Sequence, residues 1–230
     1  MSDTYSQKRG QLEDYFDRTA AETWTRLTSD APVSRIRQTV RAGRDAMRSE
    51  LLRRLPQNLA GRRVLDAGCG AGQASAELAR RGAEVVAVDI SPKLLAVAEA
   101  RLEDALKPRV RFQAGDMLNA DLGRFDHVLA MDSLIHYAPG DIVRALSGLA
   151  ERTTHSVVFT VAPRTPLLSV MHAAGKLFPR GDRSPAIQPI AESELKLRVA
   201  REGRLGGWVM PASTRIKSGF YISQAMELRK

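Results

Sequence analysis

From Arg63 onward the chain alternates short apolar runs with longer segments whose apolar residues recur at helical spacing. The runs Arg63 to Ala67, Glu84 to Asp89, Val110 to Gln113, Phe125 to Asp132 and Ser156 to Val161 predict strands. Between them, Ala71 to Arg81, Pro92 to Leu106 and Asp141 to Arg152 predict helices, the first with Ala74, Leu78 and Ala79 on one face. Ser91 and Pro92 are the cap and first residue expected of a helix start. Such alternation gives a mainly parallel, doubly wound α/β sheet covered on both faces, with ligands at the carboxyl ends of its strands. A helix from Glu192 to Arg201 and two last strands, Trp208 to Ile216 and Phe220 to Leu228 with Gly219 in the turn, predict a terminal antiparallel hairpin.

Two helices precede the first strand, Tyr5 to Thr28 and Val33 to Leu55, the second carrying Ile36, Val40, Met47, Leu51 and Leu55 on one stripe. They predict an N-terminal helical cap over residues 1–60, packed on the ligand edge of a domain formed by residues 61–230. The texture changes between Pro163 and Pro189, where five of the 11 prolines fall. Leu167, Leu168, Val170, Met171, Ala174, Leu177 and Phe178 make an apolar stretch there, running into the cationic Lys176 to Arg183. Two readings stand for residues 164–190: a lid inserted after the fifth strand, or an ordinary helix with a surface loop.

The chemistry concentrates where the first two strands end. Val64-Leu65-Asp66-Ala67-Gly68-Cys69-Gly70-Ala71-Gly72 is strand, glycine turn and helix start, and the glycines let the backbone approach a ligand. A pyrophosphate on that helix start would be repelled by Asp66, whereas an ammonium or sulfonium would be attracted. Asp89 lies 23 residues after Asp66 at the end of the second strand, where a carboxylate accepts bonds from both hydroxyls of a ribose. The implied ligand is cationic and carries a ribose. Asp116, after the third strand, adds another acid at the same edge.

Composition narrows the setting. With 230 residues and 43% apolar content the chain suffices for a sizeable core, and the polar Met1 to Asp17 lacks the apolar centre of a secretory signal, so a cytoplasmic location is expected. The single cysteine, Cys69, sits inside the glycine turn and reads as packing. A net charge of +9 favours an acidic partner, and Arg35, Arg37, Arg41, Arg44 and Arg48 recur through one helical segment, as a solvated face or as a docking surface. His127, His155 and His172 show no metal-ligand spacing with one another or with Cys69, so no protein-bound metal is expected.

Together the glycine turn and the acids resemble the S-adenosylmethionine site of the class I methyltransferases, which implies a Rossmann-like fold. By that resemblance Asp66, Gly68 and Gly70 meet the methionine part, Asp89 and Ile90 the ribose and adenine, and Asp116 and Met117 the adenine ring, with Met131 completing the cofactor set. Three longer stretches, Asp14 to Trp24, Arg35 to Arg44 and Gly175 to Ser184, resemble the magnesium protoporphyrin IX methyltransferases of bacteriochlorophyll and chlorophyll biosynthesis. Ser29 to Val33 departs from that pattern. The resemblance implies methyl transfer from S-adenosylmethionine to a propionate of magnesium protoporphyrin IX, giving the monomethyl ester and S-adenosylhomocysteine, with magnesium carried by the substrate. By analogy with the family the arginine-rich helix would dock on the large subunit of magnesium chelatase; contact with anionic lipid at the inner membrane surface and a merely solvated face are its alternatives.

A propionate is already ionised at neutral pH, so such a site needs alignment and water exclusion more than a strong base. Tyr15 and His136 are the candidates for positioning, and Arg180 and Arg183 for pairing with substrate carboxylates. Each has a plainer reading as well: Tyr15 as an anchor for its helix, His136 as a hydrogen-bonded structural residue, the arginines as a charged lid surface. A methyltransferase acting on RNA or another small molecule, and a noncatalytic module with the same fold, are the competing functions. No separate RNA-binding module supports the first, so nucleic acid is not an expected partner.

Overall fold

The computed structural model describes residues 3–20, 34–164 and 186–230. Its strands are β1 (Arg63–Ala67), β2 (Glu84–Asp89), β3 (Val110–Ala114), β4 (Phe125–Ala130), β5 (Thr153–Val161), β6 (Thr214–Ser218) and β7 (Tyr221–Arg229). They form one sheet in the order β3-β2-β1-β4-β5-β7-β6. The first five run parallel, and β7 pairs antiparallel with both β5 and β6. This is the doubly wound sheet with a terminal hairpin that the apolar pattern predicts.

Helices cover both faces: α1 (Asp3–Asp14), continued by a π-helical turn (Tyr15–Ala20), α2 (Arg35–Arg53), α3 (Gln73–Arg80), α4 (Pro92–Arg101), α5 (Pro139–Ala150) and α6 (Glu192–Ala200). Pleating sends alternate strand residues to opposite faces. Leu65, Val86, Val88, Val128, Val157 and Phe159 join one apolar cluster with Ile142 and Leu146 of α5 and Leu195 of α6. Val64, Val85, Ala87, Leu129 and Val158 join a second with Met47 and Leu51 of α2 and Leu78 of α3. Leu51 and Leu78 are fully buried, and each such side chain contributes about 1.5–3 kcal/mol. That packing, rather than propensity, holds α3, since a helix of 8 residues is too short to stand alone.

Several boundaries differ from the sequence reading, each for a local reason. The helix expected from Ala71 begins at Gln73 because Gly72 before it is left-handed, with φ 77°. The helix expected to reach Leu106 ends at Arg101, where Leu102 turns extended (φ −70°, ψ 128°), and a 3-10 turn over Asp104–Arg109, with Pro108 inside it, follows. The strand expected from Trp208 starts at Thr214, because Pro211 offers no N–H to a ladder; Val209 alone bridges to Arg229. Of the apolar stripe on α2, Met47 and Leu51 are buried, as is Leu55 just beyond the helix, whereas Ile36 is 57% exposed. The turn of α2 that follows Ile36 lies at Thr39 against Gly219 in the β6–β7 turn. Tyr5 and Leu12 of α1 are buried in the first cluster, with Phe16 packed against it. Most of the expected lid, Arg180 and Arg183 included, lies outside the described residues.

Candidate active site

The strand order reverses between β1 and β4, and in such sheets the crevice outside the carboxyl ends of those strands receives ligands. A cavity of about 300 Å³ opens there. It is lined by Gly68 and Gly70 after β1, Asp89 and Ile90 at the end of β2, Gly115, Asp116 and Met117 after β3, and Met131, Asp132, Ser133 and His136 after β4. The sheet therefore collects at one place residues that follow four successive strands.

The glycine loop has two separate jobs. Gly68 is left-handed at φ 83°, and a Cβ there would lie 2.6 Å from Ser133 Cβ, so only glycine lets the loop close on the segment after β4. Gly70, at φ 54°, faces open space, and its N–H donates to Asp89 Oδ2 at 2.8 Å. The other Asp89 oxygen accepts from the Ser91 N–H at 2.9 Å. Two backbone donors fix the carboxylate and leave lone pairs on both oxygens for further donors. Burial raises the pKa of Asp89, against the pull of the Ser91, Gly70 and Ile90 backbone groups.

Asp66 is buried and accepts from Ser75 Oγ at 2.6 Å. Burial pushes its pKa up to about 7; the Ser75 bond opposes that rise and the nearby Asp89 adds to it. It lines a smaller space with Arg48, Cys69 and Gln73, which shares Arg44, Gly68, Gly70 and Met131 with the main cavity. A positive group arriving there meets a carboxyl that ionises to match it. Burial, with Asp66 and Asp89 close by, raises the Cys69 thiol well above its ordinary range, which keeps it protonated and agrees with a packing role.

Asp116 faces the cavity from the other side, bound to α1. It accepts from Tyr5 Oη and the Leu118 N–H, both at 2.8 Å, and from Arg9 Nη1 at 3.0 Å. The Tyr5 ring stacks on Tyr137 with centroids 4.8 Å apart, and burial raises its phenol pKa, so it stays a neutral donor. His136 is buried in the cavity wall, with Nδ1 3.4 Å from the Ala186 carbonyl and its ring edge-on to Phe16 at 6.2 Å. Tyr15 is not among the described residues lining the cavity; its ring packs edge-on to Phe16 at 5.2 Å. His127 takes no part: it is buried against Ser156, and burial holds its pKa down to about 4.

Sequence reasoning missed Tyr5, Phe16, Asp132, Ser133 and Tyr221, all of which line the cavity, and assigned Arg44 only to a charged helix face. A signal existed for the aromatic pair, since Tyr5, Leu12 and Phe16 are the apolar positions of a polar segment at i, i+7 and i+11. None existed for Asp132 and Tyr221, which meet only through the sheet order.

The residues suit a ligand with a cationic end and a hydroxylated end. Among the described residues, Ser133 Oγ is buried beside Gly68 without a hydrogen-bond partner, Gly70 leaves room for an approaching group, and Asp89 retains acceptor capacity. Among the described residues no group of three or more His, Cys, Asp or Glu side chains is placed to hold a metal ion.

Residues 130–230 match the family described as magnesium-protoporphyrin IX methyltransferase C-terminus, and residues 64–155 match a general methyltransferase domain. The magnesium-protoporphyrin O-methyltransferase of Rhodobacter capsulatus is 50% identical over 230 residues, covering 100% of both chains. The chain belongs to the magnesium-protoporphyrin O-methyltransferase family. A second family member, from Synechocystis, is 29% identical over 94% of each chain. The crystal structure of magnesium protoporphyrin IX methyltransferase from Synechocystis PCC 6803 with bound S-adenosylhomocysteine superposes with a TM-score of 0.80 at 28% identity, covering 97% of this chain and 100% of that one. The fold reaches beyond the family: a geranyl diphosphate C-methyltransferase from Streptomyces coelicolor superposes with a TM-score of 0.67 at 13% identity.

Proposed function

We propose that this protein transfers a methyl group from S-adenosylmethionine to a propionate carboxylate of magnesium protoporphyrin IX, giving the monomethyl ester in the route to chlorophylls or bacteriochlorophylls. The observation that carries this reading is the 50% identity to the R. capsulatus enzyme across both full lengths. S-adenosylmethionine supplies the methyl on a sulfonium centre. Asp66, Gly68, Gly70 and Met131 would hold its methionine end, Asp89 and Ile90 its ribose and adenine, and Asp116 and Met117 its adenine.

The chain's own contribution is placement. A propionic acid titrates like glutamic acid, near about 4.3, so its carboxylate reaches the cavity ionised and no side chain has to take a proton from it. His136, buried at the wall between the β4 loop and Phe16, orients that carboxylate, and Tyr15 acts through its edge contact with Phe16. Phe16, Leu12 and Ile135 present apolar surface that excludes water, which favours a reaction in which opposite charges disappear. Arg180 and Arg183 would be further partners for substrate carboxylates.

Outside the cavity, Arg35 and Arg37 at the start of α2 are exposed. They form the cationic patch that the large subunit of magnesium chelatase or an anionic membrane surface would meet, in a cytoplasmic protein acting at the inner membrane. Among the described residues no helix is long and apolar enough to cross a membrane. Mixing the protein with S-adenosylmethionine and magnesium protoporphyrin IX should yield the monomethyl ester by mass spectrometry, and His136→Ala should lower kcat/KM on the order of 100-fold by misplacing the carboxylate. Absence of ester from the unaltered protein would remove the assignment.

A further inference from the structure

Among the described residues five large apolar side chains are exposed: Ile36, Ile187, Leu197, Val209 and Phe220. Such residues scattered singly are ordinary, but three of these gather at one place. Phe220 and Ile187 line the cavity while remaining exposed, which puts them at its mouth. Ile36 lies one turn of α2 before Val40, which lines the cavity as well. Thr39, next to Val40, packs against Gly219, next to Phe220, so the start of α2 and the β6–β7 turn form one rim. The other two exposed residues lie elsewhere: Leu197 is on α6, and Val209 bridges to Arg229 at the far end of β7, about 26 Å of strand from Tyr221.

This rim is cationic as well as apolar. Arg35 and Arg37 flank Ile36, Lys217 lies three residues before Phe220, and all three are exposed. The chain carries no Asp or Glu from Ser34 to Arg44, nor from Ser213 to Met226. Neither stretch therefore neutralises its own cations. Apolar tips flanked by cations match a boundary between hydrocarbon and anionic headgroups, where the tips leave water and the cations keep it. A protein partner would have to present acidic and apolar groups in matching positions, whereas an anionic bilayer presents both along its whole surface.

We infer that the cavity mouth docks on an anionic lipid bilayer, with Ile36 and Phe220 in its acyl boundary and Arg35, Arg37 and Lys217 at its headgroups. The inference rests on the functional reading above and adds an entry path to it: the porphyrin passes from lipid into the cavity with its apolar surface never exposed to water.

Co-sedimentation with vesicles tests this, using phosphatidylcholine mixed with phosphatidylglycerol and phosphatidylcholine alone. The protein should bind the mixed vesicles, and bind at least about 10-fold more weakly to phosphatidylcholine alone or in high salt. On mixed vesicles, Ile36→Ser and Phe220→Ser should each weaken binding about 5-fold to 10-fold, and Arg35→Ser combined with Arg37→Ser about 25-fold. Leu197→Ser and Val209→Ser, equally exposed but distant, should stay within about twofold. Ile36→Ser should also keep its calorimetric Kd for S-adenosylhomocysteine within about twofold, which shows that it folds. Binding that Ile36→Ser and Phe220→Ser leave unchanged, or that Leu197→Ser and Val209→Ser abolish instead, would overturn the inference. So would self-association lost in Ile36→Ser with no vesicle binding, which would give this face to a second copy of the chain. Ester formed from magnesium protoporphyrin IX in detergent by a protein that ignores mixed vesicles would overturn the inference and leave the functional reading standing. Vesicle binding with no ester in detergent would overturn the functional reading instead.

Discussion

Asp66 shows how one buried carboxyl links stability to ligand binding. Its pKa in the folded protein is pushed up to about 7, above the ordinary carboxylate range. The unfolded chain therefore ionises first as pH rises, and the folded state loses stability from about pH 4 until Asp66 itself ionises near pH 7. Asp66→Asn, which still accepts from Ser75, should melt higher than the unaltered protein at pH 8, with the difference shrinking towards pH 4 in thermal scans without ligand. The same group should make affinity for S-adenosylmethionine rise with pH and level off above about 7, because a cationic ligand favours the ionised form. Parallel pH profiles for the variant and the unaltered protein in calorimetry would contradict this. Asp89 has the simpler role of an acceptor already fixed by two backbone donors. Asp89→Ala should weaken cofactor binding by about 1–3 kcal/mol, the usual worth of a hydrogen bond to a charged group, with an unchanged calorimetric Kd as the contrary result. Both acids were legible in the sequence because strand ends and a glycine turn mark them. Asp132 was not, since its partners Arg44, Thr160 and Tyr221 come from distant stretches and no local pattern joins them.

At the scale of elements, the interface between α2 and the terminal hairpin supports one wall of the cavity. Gly43 is buried on α2, and a Cβ there would come within 2.6–2.9 Å of the Tyr221 ring and Cβ. Gly43→Ala gains helix propensity on α2 but must displace Tyr221, and overpacking of this kind costs about 1–3 kcal/mol. Chemical denaturation should show a net loss of stability, and a gain would mean that the helix and hairpin are not packed as described. The central strands could be placed from sequence because each is a short apolar run closed by glycine, proline or a polar turn. The N-terminal region could not be placed as well. A single helix over Tyr5 to Thr28 was expected, but the observed α1 stops at Asp14 and passes into a π-helical turn that turns Phe16 towards His136. Hydrophobic spacing distinguishes 3.6 from 2 residues per repeat; it does not register a shift to wider hydrogen bonding within a helix.

For the whole molecule, the account is a division of labour set by topology. Reversal of strand order at β1 and β4 opens the crevice, the parallel half brings Asp66, Asp89 and Asp116 to it, and the antiparallel hairpin with α2 supplies the opposing wall. The net charge of +9 lies largely outside that cavity, which holds more acids than bases among its described lining residues. A basic exterior by itself would suit nucleic acid, so charge cannot decide the substrate; the 50% identity to the R. capsulatus enzyme over both full lengths carries that reading. The most direct test is competition for one labelled methyl group. With labelled S-adenosylmethionine and equal access to magnesium protoporphyrin IX, metal-free protoporphyrin and bulk RNA, the account predicts label on the magnesium porphyrin as an ester. Label in RNA, or in none of the three, would contradict it.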